Sequence, residues 1–348
     1  MIQRLFGGCL CLAIALTMHV AAAADPAEIG ADIRLPTSPD QWLNFPPLSL
    51  ERLGGKGVVL YFFEEDCPTC AKKWPSLLEQ AQEHALDPVV VIGVNSGTPP
   101  AELSAYLREH QITWPVIVDI DRSFERQVLG STISLKNIYG IRIRKADGKW
   151  EANIRRQMPA AIEAAAKGGR WRVMPTTVPP ELRPAWGLVE LGNFSAALPM
   201  ISRYERRGSD EVKQTAAALR DAVGVSLAEE QDAIGKLLSE GEQWQAYQAI
   251  GSLLDAYQGY EVDPQLEEQL KELKSSDAVR QEQTAAQKLQ QAYRVGSAGS
   301  PAAIKRATTM LTKIVTEYPD TEAASKAEGL LQQVAESQAA AAAHAPPR

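Results

Sequence analysis

Residues 57–85, GVVLYFFEEDCPTCAKKWPSLLEQAQEHA, change character twice within one short span. Gly57 to Phe63 is a continuous apolar run rich in β-branched and aromatic residues, the pattern of a strand buried on both faces. From Ala71 to Ala85 the period lengthens, and Trp74, Leu77, Leu78 and Ala81 fall on one face of a helix. Between them stand Glu64, Glu65, Asp66 and the sequence Cys67-Pro68-Thr69-Cys70. A cysteine pair is thereby placed at a strand-to-helix junction, where unpaired N–H groups and the positive end of the helix dipole favour a thiolate on the first cysteine.

The alternation continues downstream. Pro88 to Val94 reads as a second buried strand, Pro100 to His110 as a helix and Trp114 to Ile120 as a third strand. A short helix near Ser123 to Leu129 follows. Ile138 to Arg144 and Trp150 to Ile154 then flank the Asp147-Gly148 turn of a hairpin, and Ala160 to Lys167 supplies a closing helix. Strands alternating with helices and closed by an antiparallel hairpin indicate a mixed α/β sandwich.

After four prolines between Met174 and Pro184 no strand pattern recurs, and helical stretches are broken by Gly192, Gly208, Gly241, Gly259 and the segment 296–301. Leu191-Gly192-Asn193-Phe194 with Ala197, and Ala307 with Pro319, are similar to the turn and small-residue packing positions of tetratricopeptide hairpins. An ordinary helical bundle is the competing account, because the period is not clean. The expected organisation is an extended lead-in over 25–45, the α/β domain over 46–170, a linker over 171–184, a helical region over 185–336 and a disordered Ala- and Pro-rich tail over 337–348.

The first 24 residues read as a secretory signal: Arg4, an apolar stretch from Cys9 towards Val20, and small residues ending at Ala24. The apolar run is shorter than the ~20 residues that span a bilayer. Cleavage after Ala24 would place the mature chain outside the cytoplasm, in the periplasm of a bacterium, with no membrane-spanning segment. It would also remove Cys9 and Cys11, leaving Cys67 and Cys70 as the remaining thiols, and take the net charge from −7 to −8. That charge opposes nonspecific nucleic-acid binding.

Two cysteines cannot build a multi-disulfide scaffold. A zinc site would need further ligands, for which the chain then offers His84, His110 and His344. A structural disulfide remains an alternative, although closing so short a loop adds little stability. Reversible dithiol–disulfide cycling accounts best for the pair, with Cys67 as nucleophile, Cys70 resolving the mixed disulfide and no cofactor beyond the pair itself. Glu64, Glu65 and Asp66 oppose thiolate formation if they lie close, and are screened if they point to water.

Residues 46–152 resemble the TlpA-like branch of the thioredoxin superfamily, extracytoplasmic thiol–disulfide oxidoreductases. The resemblance rests on Leu48-Ser49-Leu50, Gly55-Lys56, the C-P-T-C motif, Pro75 five residues after Cys70, VIGVNSG, ITWPVIVDID and the Asp147-Gly148-Lys149 turn. It implies a thioredoxin-like sandwich acting on protein thiols or disulfides, with Pro68, Thr69 and Pro75 shaping the site. Asp66 stands where the family usually has Trp, and Tyr61 where classical thioredoxins carry a buried acid. The loop that faces the cysteines with a cis-proline in the family falls near Ile138-Tyr139, where no proline stands, so no cis-proline role carries over and Tyr139 is expected only to shape the site. Pro175 is read as linker. Glu64 occupies the position of the peroxiredoxin threonine, which disfavours peroxidase activity.

The resulting expectation is an exported oxidoreductase whose helical region grips partner proteins. The alternative is a binding protein built on a degenerate thioredoxin fold. Trp186, Tyr204, Trp244, Tyr247 and Tyr257 are candidate anchors for a partner, against the commoner role of such residues as core.

Overall fold

A computed structural model describes residues 33–120, 122–130, 133, 140–151, 157–296 and 300–343. The expected signal segment, Tyr139 with the loop around it, residues 152–154 of the expected hairpin and the last five residues lie outside the described residues.

The run that reads as a buried strand is one. β2 (Gly57–Phe63) is buried at every position. It pairs in parallel with β3 (Val89–Ser96), which pairs in parallel with β4 (Val116–Asp119). The antiparallel hairpin of β5 (Ile141–Arg144) and β6 (Trp150–Glu151) joins the other side of β2. β1 (Trp42–Leu43) adds antiparallel to β4, giving the order β1-β4-β3-β2-β5-β6.

Alternation along β2 divides the core. Val58, Leu60 and Phe62 face Leu48, Phe124, Cys67 and Cys70, whereas Val59, Tyr61 and Phe63 face Trp74, Leu103, Leu107 and Ile162. Four helices cover the sheet: α1 (Pro68–Glu83), α2 (Pro100–Glu109), α3 (Ser123–Leu129) and α4 (Met158–Ala166). This is the thioredoxin-like sandwich expected from the sequence.

The lead-in is more than an approach. Ile33, Leu35 and Trp42 are buried in the sandwich core, and Asn44 clasps the carbonyls of Ile112 and Trp114 with its amide, both at 2.9 Å. A two-residue strand carries no periodicity to detect, so its role emerges only from packing. The expected linker is likewise built into a core. Its 3-10 turns Pro175–Thr177 and Pro180–Leu182 bury Val178 and Leu182 among the helices.

The helical region comprises α5 (Arg183–Glu190), α6 (Phe194–Arg207), α7 (Asp210–Glu240), α8 (Gln243–Ala256), α9 (Gln265–Ser275), α10 (Asp277–Gly296), α11 (Pro301–Glu317) and α12 (Glu322–Ala343). Lengths from 8 to 31 residues do not follow one repeating unit. Helix α12 runs through the first residues of the stretch expected to be a disordered tail, since alanine is the strongest helix former. Of the candidate anchors, Tyr257 is fully buried, and Trp186, Tyr204, Trp244 and Tyr247 pack against the helical core.

Candidate functional site

β2 ends at Phe63, and the chain turns through Glu64, Glu65 and Asp66 into α1, whose N-cap is Cys67. Pro68 opens the helix, where its missing N–H costs nothing and its fixed φ suits the first turn. One turn on, the N–H of Cys70 donates to the Cys67 carbonyl at 2.9 Å and to its Sγ at 3.2 Å. Cys67 and Cys70 are joined as a disulfide, with Cα atoms 5.2 Å apart. Reduction would leave the Cys67 sulfur facing a helix N-terminus and a backbone donor, the surroundings that stabilise a thiolate.

The disulfide is largely enclosed, Cys67 retaining 4% exposure and Cys70 1%, while Pro68 and Thr69 between them are exposed. It belongs to a buried cluster that also includes Phe124, Val128 and Ile133. Below it, Trp74 is buried at the centre of an aromatic group. Its ring stands edge-on to Phe63 at 5.0 Å, Tyr61 at 5.5 Å and Trp114 at 5.7 Å, and its Nε1–H donates to the Tyr106 hydroxyl at 2.8 Å. Tyr61 belongs to that group, so β2 brings no carboxylate to the site. Pro75, next to Trp74 and inside α1, lacks the N–H that would bond the carbonyl of Ala71.

The three acidic residues diverge. Asp66 is exposed. Burial, then the negative charges of Glu102 and Asp66, raise the Glu65 pKa above the usual carboxylate value. Glu64 is neutralised by Arg122, whose Nη2 donates to Glu64 Oε1 at 2.8 Å. The same guanidinium reaches Glu125 Oε1 at 3.2 Å through Nη1, and Glu125 has no exposure. Sequence reasoning missed Arg122, Glu125 and Glu102. Only the left-handed backbone of Arg122, at φ 59°, marks it, and sequence does not show that.

Helices α5, α7 and α8 dock elsewhere, while Glu322 of α12 pairs with Arg34 of the lead-in at 3.0 Å. Lys56 lies just before β2, and its Nζ is 2.9 Å from Glu190 Oε2 on α5; both side chains are buried. Arg52 pairs with Glu230 of α7 and reaches Ser252 of α8. Seven residues of strand, about 20 Å, separate this seam from the disulfide. Among the described residues no group of three or more His, Cys, Asp or Glu converges on a metal-sized site, and no helix is long and apolar enough to cross a membrane.

A mixed-sheet sandwich with a C-x-x-C just after a central strand now has a sequence counterpart. Residues 31–137 match the AhpC/TSA family. The chain is 26% identical over 113 residues to the thiol-disulfide oxidoreductase ResA of Bacillus subtilis, an alignment covering 32% of this chain and 63% of that protein. It is 27% identical over 96 residues to ResA of Halalkalibacterium halodurans, covering 26% and 54%. The alignments thus span less than two thirds of either relative. A thioredoxin-family thiol:disulfide interchange protein from Chlorobium tepidum is 20% identical, with a TM-score of 0.30, over 40% of this chain and 99% of that one.

Proposed function

We propose that the protein is an exported thiol–disulfide oxidoreductase that acts on protein substrates through Cys67 and Cys70. The observation that carries this reading is the disulfide at the start of α1, with the Cys67 sulfur facing the N–H of Cys70. In the oxidising direction a substrate thiolate attacks Cys67 Sγ, the bond to Cys70 breaks, and Cys70 leaves as a thiolate that takes up a proton. A second substrate thiolate attacks the substrate sulfur of this mixed disulfide, releasing Cys67 as a thiolate and the substrate as a disulfide. The reducing direction runs the same steps backwards. The oxidoreductase relatives support this chemistry, and the apolar segment ending at Ala24 supports export to the periplasm.

The helical region then serves as the surface that holds partner proteins. Its docking seam lies at the end of β2 remote from the cysteines, so α5, α7 and α8 leave the disulfide to an incoming substrate. Peroxidase chemistry has no support at Glu64, whose carboxylate is engaged by Arg122.

A Cys70→Ala variant tests the proposal, because it removes the resolving thiol. Mixed disulfides accumulating on Cys67 in an extract of exported proteins, together with reduction of insulin by the wild-type protein, are the expected results. No trapped species and no insulin reduction would leave a structural disulfide in a binding protein as the better account.

A further inference from the structure

Arg122, the N-cap of α3, pairs with carboxylates on two elements that meet near the disulfide. Its guanidinium holds Glu64, three residues before Cys67, and Glu125, on the helix whose Phe124 and Val128 share a buried cluster with both cysteines. It also makes a long 3.4 Å contact with the carbonyl of Ile133, another member of that cluster. Three features show that the fold is arranged around this side chain. Arg122 adopts a left-handed backbone that is uncommon for a non-glycine residue. Gly97 leaves room for the guanidinium, since a Cβ there would lie 3.0 Å from Arg122 Nη2. Glu125 is fully buried, and its Oε2 has no hydrogen-bond partner among the described residues, so Arg122 supplies its compensating charge.

We propose that Arg122 is a positioning residue of the redox centre, cancelling the Glu64 and Glu125 charges so that the Cys67 thiolate forms near neutral pH. The proposal rests on the oxidoreductase reading above but concerns a residue outside the cysteine motif. The carboxylates on the elements about the disulfide include Glu64, Glu65 and Asp66 on the entering loop, Glu102 on α2, Asp119 at the end of β4 and Glu125 on α3; the cations on these and neighbouring elements include Lys72 and Lys73 on α1, Arg122 and Arg126 at α3, and Arg142 on β5, whose Nε donates to the carbonyl of Val128 at 3.1 Å. Asp119 accepts the N–H groups of Phe124 and Glu125 and is held in place at the start of α3. Without Arg122 the Glu64 and Glu125 carboxylates lose the guanidinium that pairs with them, and their negative charge disfavours a thiolate. Burial works against the Arg122 charge, and Glu64 and Glu125 more than offset it, so the guanidinium stays protonated throughout.

The test uses the full chain reduced with a phosphine, reading Cys67 thiolate by ultraviolet absorbance against pH, and separately the equilibrium with glutathione. Arg122→Gln should leave about tenfold less thiolate at a fixed pH below the titration midpoint. It should also move the glutathione equilibrium about tenfold towards the disulfide. Arg122→Lys, which keeps the charge but not the fork, should recover most of the titration. Glu64→Gln, at a half-buried position that leaves the Arg122–Glu125 pair intact, should shift the midpoint the opposite way. That opposite shift keeps the proposal testable should Arg122→Gln fail to fold. An unchanged titration in Glu64→Gln, or an Arg122→Gln protein that is merely less stable with an unaltered thiolate midpoint, would overturn it. A wild-type protein that titrates normally but never exchanges with glutathione would defeat the oxidoreductase reading alone, since the thiolate measurement stands without turnover.

Discussion

Gly57 shows how far a single residue can be constrained by what packs on it. It opens β2 where α4 crosses, and a Cβ built there would lie 2.4 Å from the carbonyl oxygen of Ala165 and 2.8 Å from its Cβ. Backbone cannot yield as a long side chain does, so Gly57→Ala should separate α4 from the sheet and cost about 1–3 kcal/mol. Urea unfolding of the variant measures this, and an unchanged midpoint would contradict the packing described. At this same scale the cysteine pair was legible in the sequence, because both residues lie within one turn of a strand-to-helix junction. Arg122 was not. Its partners Glu64 and Ile133 are brought to it by β2 and by the chain after α3, and no local pattern encodes such a meeting.

At the scale of elements, the helices of the C-terminal half are tied by phenols as well as by apolar faces. Tyr260, after α8, donates to the carbonyl of Phe194 at 3.3 Å, and Tyr257 donates to Glu230 of α7 at 2.9 Å. Burial raises the Tyr260 pKa to about 12, and burial with the Glu230 charge raises that of Tyr257 as well. An unfolded tyrosine loses its proton near pH ~10, so between there and the folded value the native state holds a proton the unfolded chain has released. Stability must therefore fall as pH rises through that window. Tyr260→Phe should flatten part of the decline while costing about 1 kcal/mol at neutral pH. Denaturant midpoints followed from about pH 9 to about pH 11 decide it; equal alkaline slopes in the two proteins would count against the assignment.

Over the whole molecule, the two halves are joined by charge buried between them. Glu190 accepts the N–H groups of Arg172 at 3.1 Å and Val173 at 2.8 Å while pairing with Lys56, which stands 5.8 Å from the Trp171 ring centre. Among the described residues Lys56 Nζ finds no acceptor in hydrogen-bond geometry, so its 2.9 Å approach to Glu190 is a close ion pair rather than a directed bond. Burial, then the Arg172 charge, pull the Lys56 pKa down, with Glu190 opposing them. The partners are therefore unequal. Glu190→Ala strands a buried ammonium and two backbone donors, and should cost about 3–5 kcal/mol. Lys56→Met leaves Glu190 with Arg172 and both N–H groups, and fills the space of the lysine stem, so it should cost clearly less. Equal losses in equilibrium unfolding would show that the ion pair alone carries the seam.

The sequence by itself determined the order of strands and helices, the change to all-helical structure after residue 184 and the seating of Cys67 at a helix start. Each of these follows from periodicity or from contacts within a few residues. Tertiary structure alone decided that the lead-in is part of the sheet, that the segment after Met174 is packed through Pro175, Val178 and Leu182, and that the acidic residues before Cys67 meet different fates. It also decided that α5, α7 and α8 dock at the end of β2 away from the sulfurs. The physical reason is common to all four: burial and ion pairing join groups far apart along the chain, and their energies depend on which surfaces the completed fold removes from water.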